Sequence, residues 1–181
     1  MTTINDTGAI ASMTLPKGWV AYPEEELPGR RFILKVSPYD QVDVTFQSSV
    51  RGVELSSPGR DAFMRTLYSP FHSLNAAEIN DIREVLEGFA NPVSFKVEEA
   101  HTTYLNSRRI IYISGVWTEY KLKEISCFID LHGDSNHVQQ IGLEAPVKDF
   151  KTYGELYTRG SLLSIRWKQE TPKHPPNQDF Q

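Results

Sequence analysis

The run RIIYISGVW, Arg109 to Trp117, carries apolar residues at odd and even positions alike. A strand with one wet face alternates apolar and polar residues, so a run apolar on both parities reads as a central strand covered on two sides. Its neighbours support an antiparallel meander. Val93, Phe95 and Val97 alternate with Ser94, Lys96 and Glu98 ahead of it. Ile125, Cys127, Ile129 and Leu131 give the next strand a buried face, and Val138 to Leu143 returns after the loop residues GDSN. Upstream, Phe32–Val36 and the alternating Val42, Val44 and Phe46 flank a Ser-Pro-Tyr-Asp turn, and Ala9–Leu15 is a short strand leading into LPKGW. The expected fold is α+β: an antiparallel sheet of about six strands flanked by helices.

The helices are marked by their ends. Ser57 before Pro58 is an N-cap signal, and Phe63, Met64, Leu67 and Tyr68 then form one apolar stripe. Asn75 with Glu78 three residues on resembles a capping box, and Leu74 with Ile79 is placed as a hydrophobic staple. Ile79, Ile82, Val85 and Leu86 share a face, and Gly88 is positioned to stop that helix in the left-handed conformation. After Pro146, Phe150, Tyr153 and Tyr157 fall at helical spacing, with Gly154 and Gly160 weakening the helix; Ser164–Trp167 either ends it or forms a short terminal strand.

A chain of 181 residues fits one domain and is long enough to bury a sizeable core without staples. We expect a flexible segment over 1–8, a single α+β domain over 9–168, and a disordered Pro-rich tail over 169–181 (QETPKHPPNQDFQ). One cysteine, Cys127, excludes an intramolecular disulfide and fits a reducing compartment, or one where disulfides are not needed. The formal net charge is −4, and no basic run exceeds a pair such as Arg108-Arg109, which argues against a nucleic-acid partner. No stretch is apolar enough for membrane insertion and the N-terminus lacks signal-peptide character, so a cytoplasmic protein is expected.

Candidate chemistry is sparse. His132 and His137 face each other across the GDSN loop with Asp130 on the same face, a geometry a metal site can use. Gly, Asp, Ser and Asn are equally what a hairpin loop requires, and the hairpin is the preferred reading. Cys127 at an inward position reads as an inert thiol. His72 and His101 have no evident partner, and Glu24–Glu26, Glu84 with Glu87, and Glu98-Glu99 read as solvated acids. Neither a nucleophile elbow nor a phosphate-binding loop occurs, and no cofactor or metal is assigned. Trp19 and Trp167 read as core anchors. Trp117 and Tyr120, at a strand end beside Lys121-Leu122-Lys123, are the candidate protein-contact residues.

The order of elements from Ala9 to Trp167, with the LPKGW turn and the ending Leu162-Leu163-Ser164-Ile165-Arg166-Trp167, resembles the PsbP-like fold of the PsbP, DcrB, Mog and Eag proteins. That resemblance implies an α/β/α sandwich and a binding role. The expected function is therefore a non-enzymatic protein binder of adaptor, chaperone or toxin-neutralising immunity type. The alternative is a small-ligand or metal binder, or an enzyme, using the His132/His137 hairpin or a pocket on the sheet face.

Overall fold

The computed structural model describes residues 1–21, 29–35, 43–50, 55–131 and 137–169. These residues hold two antiparallel sheets. Strands β1 (Thr2–Thr7), β2 (Ile10–Leu15) and β10 (Arg166–Trp167) form the small one, with β2 in the middle. The large sheet contains β3 (Val20–Ala21), β4 (Gly29–Lys35), β5 (Asp43–Val50), β6 (Phe95–Leu105), β7 (Arg108–Trp117), β8 (Leu122–Asp130) and β9 (Val138–Pro146). Its order is β3-β4-β5-β9-β8-β7-β6. Helices α1 (Ser57–Tyr68), α2 (Ala76–Asp81), α3 (Arg83–Leu86) and α4 (Val147–Leu156) flank it.

The double-sided apolar run of β7 does what its pattern demands. Ile111 and Ile113 enter a core with Phe63, Leu67, Ile82 and Leu86 from the helices and Phe95 and Phe128 from the sheet. Ile110 enters a second core on the opposite face, where Ile125, Cys127, Ile129, Ile141 and Leu143 meet Ile4, Ile10 and Met13 of the small sheet and Phe150 and Tyr157 of the last helical segment. Each fully buried Ile, Leu or Phe side chain contributes about 1.5–3 kcal/mol relative to exposure, so both faces carry substantial stabilisation.

Several expectations are corrected. Residues 2–7 are a strand rather than a flexible lead-in: β1 pairs with β2, and Ile4 is fully buried in the second core. Among the described residues the large sheet has seven strands where about six are expected, because Val20–Ala21 carries too little periodicity to register. Of the two readings of Ser164–Trp167, the short terminal strand is the one found, pairing with β2 in the small sheet. The first helix is capped by Ser56, one residue before the expected Ser57, with the Gly59 N–H donating to Ser56 Oγ at 3.1 Å. Val93 precedes β6 instead of opening it, and is exposed. The Asn75 box is present as read: Asn75 Oδ1 accepts from the Ala77 and Glu78 N–H groups, and Glu78 Oε2 accepts from the Asn75 N–H at 2.9 Å. The helix behind it breaks at Ile82, and the left-handed residue at its end is Glu87 (φ 49°), not Gly88. Gly88 serves close approach: a Cβ there would lie 2.9 Å from the Trp117 ring. The tail from residue 170 and the tip 132–136 lie outside the described residues.

The small sheet is fastened by one side chain. Gln139 on β9 is fully buried; its Oε1 accepts from the Ala9 N–H at 2.7 Å and its Nε2 donates to the Thr7 carbonyl at 3.1 Å. Gly8 between them has φ 56°, and a Cβ there would overlap the Gln139 carboxamide. On the far side of the large sheet, the outer edge of β6 is covered by the α1–α2 connection: Leu74 N–H donates to the Ala100 carbonyl at 2.8 Å and Thr102 N–H to the His72 carbonyl at 3.0 Å. A covered edge removes a template for pairing with another chain.

Candidate functional site

The β6–β7 register sets Tyr104 opposite Arg109, on the same face as Ile111 and Ile113. That face lies under α1, and Arg109 reaches the helix's C-terminal end. Its Nη1 donates to the Leu67 carbonyl at 3.0 Å and the Ser69 carbonyl at 2.7 Å. The last carbonyls of a helix lack intrahelical partners and sit at the negative end of its dipole, so a guanidinium is favoured there.

Three aromatic rings surround this cation. The Arg109 guanidinium carbon lies 4.6 Å from the Phe71 ring centroid, 5.7 Å from that of Tyr104 and 5.8 Å from that of Tyr68. Phe71 and Tyr104 meet edge to face at 4.7 Å and 75°. All three rings remain open to solvent, at 52% for Tyr68, 46% for Phe71 and 54% for Tyr104. Among the described residues, the remaining Arg109 N–H groups have no hydrogen-bond acceptor. Beside the rings opens a polar concavity of about 270 Å³, bordered by Tyr68, Tyr104, Ser107, Arg108, Arg109 and Asp130. Fixed donors beside apolar rings suit a carboxylate flanked by apolar groups.

The connection that carries Phe71 is tied down through His72. His72 Nδ1 lies 2.7 Å from the Pro70 carbonyl and Nε2 lies 2.8 Å from Glu78 Oε1. With an acceptor at each nitrogen, the ring is best satisfied as the doubly protonated imidazolium. The Pro70 carbonyl, then Glu78, raises the His72 pKa, while the Asn75 N–H and then His72 lower that of Glu78. His72 thus has the partners its sequence context did not reveal. The same is true of His101, whose Nδ1 lies 3.3 Å from Glu99 Oε1 and whose ring stacks on Tyr112.

Trp117 and Tyr120 do not share one exposed surface. Trp117 is half-buried, with its ring 4.8 Å from Phe95 and 5.1 Å from Phe89, whereas Tyr120 projects into solvent. The Trp117 indole N–H donates to Glu124 Oε2 at 2.7 Å. Glu124 is buried, and its Oε1 also accepts from Ser126 Oγ at 2.8 Å and Gln140 Nε2 at 3.4 Å. This polar row lies on the helix-facing side of β8 and β9, where it satisfies a carboxylate that burial would otherwise penalise.

The remaining candidates fall apart spatially. His132 lies outside the described residues; His137 is exposed, and its carbonyl accepts from the Leu131 N–H at 2.8 Å, closing the β8–β9 ladder. Among the described residues no three His, Cys, Asp or Glu side chains converge as metal ligands. Burial pushes the Cys127 thiol up to about 12. Glu84, read as solvated, accepts from the Ser56 N–H at 3.0 Å and Oγ at 2.5 Å, and so ties α3 to the start of α1. The Glu24–Glu26 run lies outside the described residues.

Trp167 is the half-buried anchor expected, its indole N–H donating to the Leu105 carbonyl at 2.9 Å, and Trp19 is buried. In the sequence Tyr68 belongs to an apolar helical stripe, and no motif marks the Arg109 surface. Phe71 was its available signal: a large apolar residue in a connection, without a strand or helix to bury it.

No family model matches the chain, and no curated protein matches it in sequence. Among solved structures it is similar to the crystal structure of LpqN, involved in cell envelope biogenesis of Mycobacterium tuberculosis. The identity is 13% and the TM-score 0.50, with 87% of this chain and 84% of that chain covered. At this identity the likeness concerns the fold alone: antiparallel sheet flanked by helices.

Proposed function

We propose that this chain is a non-enzymatic binding protein that docks a protein partner through the surface around Arg109. The partner presents an acidic side chain next to apolar ones. The carrying observation is a guanidinium fixed by two backbone carbonyls among three solvent-exposed aromatic rings, with donors to spare. Tyr and Arg are enriched at the energetic centres of protein interfaces, and a preordered side chain loses less entropy on binding. Such a surface is compatible with an adaptor, a chaperone or a toxin-neutralising role.

The buried thiol of Cys127 and its lack of a disulfide support action in a reducing compartment such as the cytoplasm. Kinship with PsbP-like proteins is part of the same proposal. It is supported by the meeting of the strand that leads into LPKGW with the ending segment: β10 pairs with β2, and the Thr14 N–H donates to Ser164 Oγ at 2.9 Å.

The test is selection of displayed random peptides on the wild-type protein, followed by affinity measurement on variants. The recovered peptides are expected to carry Asp or Glu beside aromatic or aliphatic residues. They should lose at least about tenfold in affinity, roughly 1.4 kcal/mol, on Arg109→Met and on Tyr104→Ala. Tyr104→Ala leaves the Arg109 bonds to α1 in place, and Tyr120→Ala is the surface control. Failure to enrich any such peptide, or equal binding to the Arg109 and Tyr104 variants, refutes the proposal.

A further inference from the structure

The face of the large sheet opposite Arg109 carries a second concavity, built by the LPKGW turn and the end of the last helix. It encloses about 130 Å³. Trp19, Leu34, Tyr153 and Tyr157 form its walls, and Leu156, 53% exposed, stands at its rim. An engineered apolar cavity of about 150 Å³ accommodates benzene, so this one accepts a ring or roughly six carbons of a chain.

Besides the Tyr157 hydroxyl, which is buried without a partner among the described residues, two further polar groups break the apolar lining. Ser161 is 1% exposed, and its Oγ has no hydrogen-bond partner among the described residues. Burial of an unsatisfied hydroxyl is costly and uncommon, so each instance needs an account. Ser161 ends a π-helical turn, Tyr157–Ser161, in which α4 widens before Leu162. Such turns are rare and recur at binding and catalytic sites, because they re-aim the side chains they carry. The second group is Lys17, exposed beside the cavity and in no ion pair among the described residues.

We infer that this cavity binds a small amphipathic carboxylate. Its apolar part packs between Trp19, Leu34 and Tyr157, the Ser161 hydroxyl supplies the buried hydrogen bond, and its charge is met by Lys17. The inference stands apart from the Arg109 surface, since the two sites use different residues on opposite faces of the sheet.

The experiment titrates the full chain with octanoate and, separately, with 1-octanol, followed by amide and indole NMR shifts. Octanoate should produce saturable shifts at Trp19 and Ser161 and bind at least about fivefold more tightly than octanol. Lys17→Met should abolish that preference while leaving octanol binding intact. Leu34→Phe, which fills the cavity, and Leu156→Trp, which blocks its rim from an exposed position, should each remove binding of both compounds with a well-dispersed spectrum. Tyr120→Ala, the surface control, should leave octanoate binding unchanged. Absence of saturation at millimolar octanoate, equal affinity for octanol, or unchanged binding in the Leu156→Trp protein overturns the inference.

Discussion

Replacing Gln139 by leucine tests how the small sheet is joined to the large one. The side chain keeps nearly its volume, so little cavity forms, but two buried backbone groups lose their partners: the Ala9 N–H at 2.7 Å and the Thr7 carbonyl at 3.1 Å. Each unsatisfied buried group costs about 1–3 kcal/mol, which gives about 2–6 kcal/mol together. Total stabilities are about 5–15 kcal/mol, so the variant forfeits a large share. With a urea slope of roughly 2 kcal/mol per molar, a loss of about 3 kcal/mol lowers the unfolding midpoint by about 1.5 M. Amide exchange at Ala9 should accelerate as well. A midpoint lowered by less than about 0.3 M would refute the reasoning. It would mean that Ile4, Ile10 and Met13 hold the small sheet by apolar contact alone.

Three further outcomes follow from the same geometry. His72 has a raised pKa in the fold, so its stabilisation is complete below the unfolded value near 6.5 and is lost as pH rises through the folded value. Urea midpoints of the wild type should therefore fall as pH rises above the unfolded value of about 6.5, while those of His72→Gln stay level across that window. Trp117→Phe removes a donor to the buried Glu124 carboxylate and should cost about 1–3 kcal/mol, read by thermal melting; a neutral result would show the carboxylate reachable by water. With its thiol pushed up to about 12, Cys127 should react with an aromatic disulfide reagent at pH 8 only as fast as the protein unfolds, and prompt labelling of the native protein would contradict its burial.

Periodic segments were legible in the sequence, and so were capped ones. The two-sided run of β7, the alternation of β8 and the Asn75 capping box each rest on interactions within a few residues or on one face of one element, which spacing alone encodes. What escaped depends on long-range partners. β1 is polar along most of its length (TTINDT) and is ordered by pairing with β2 and by Ile4, a contact that no local pattern announces. Gln139 looks like any polar residue in a strand until its carboxamide is seen between Thr7 and Ala9. The Arg109 surface joins α1, a connection and the β6–β7 hairpin, so its four members are scattered over the chain from 68 to 109. Trp117 was ambiguous because strand-end position suggests exposure, whereas Phe89 and Phe95 arrive from other elements to cover it.

β2 sits between the first strand and the last, bonded to β1 on one edge and to β10 on the other. During synthesis the ribosome delivers β2 early, yet its second neighbour emerges some 150 residues later, when Ser164 meets Thr14. Until then the sheet face bearing Ile129 and Ile141 lacks its full cover, and closure of so long a loop is entropically slow. The nascent chain should therefore pass through a sticky stage that ends only with β10, and truncation before Arg166 should yield a chaperone-bound or aggregating product.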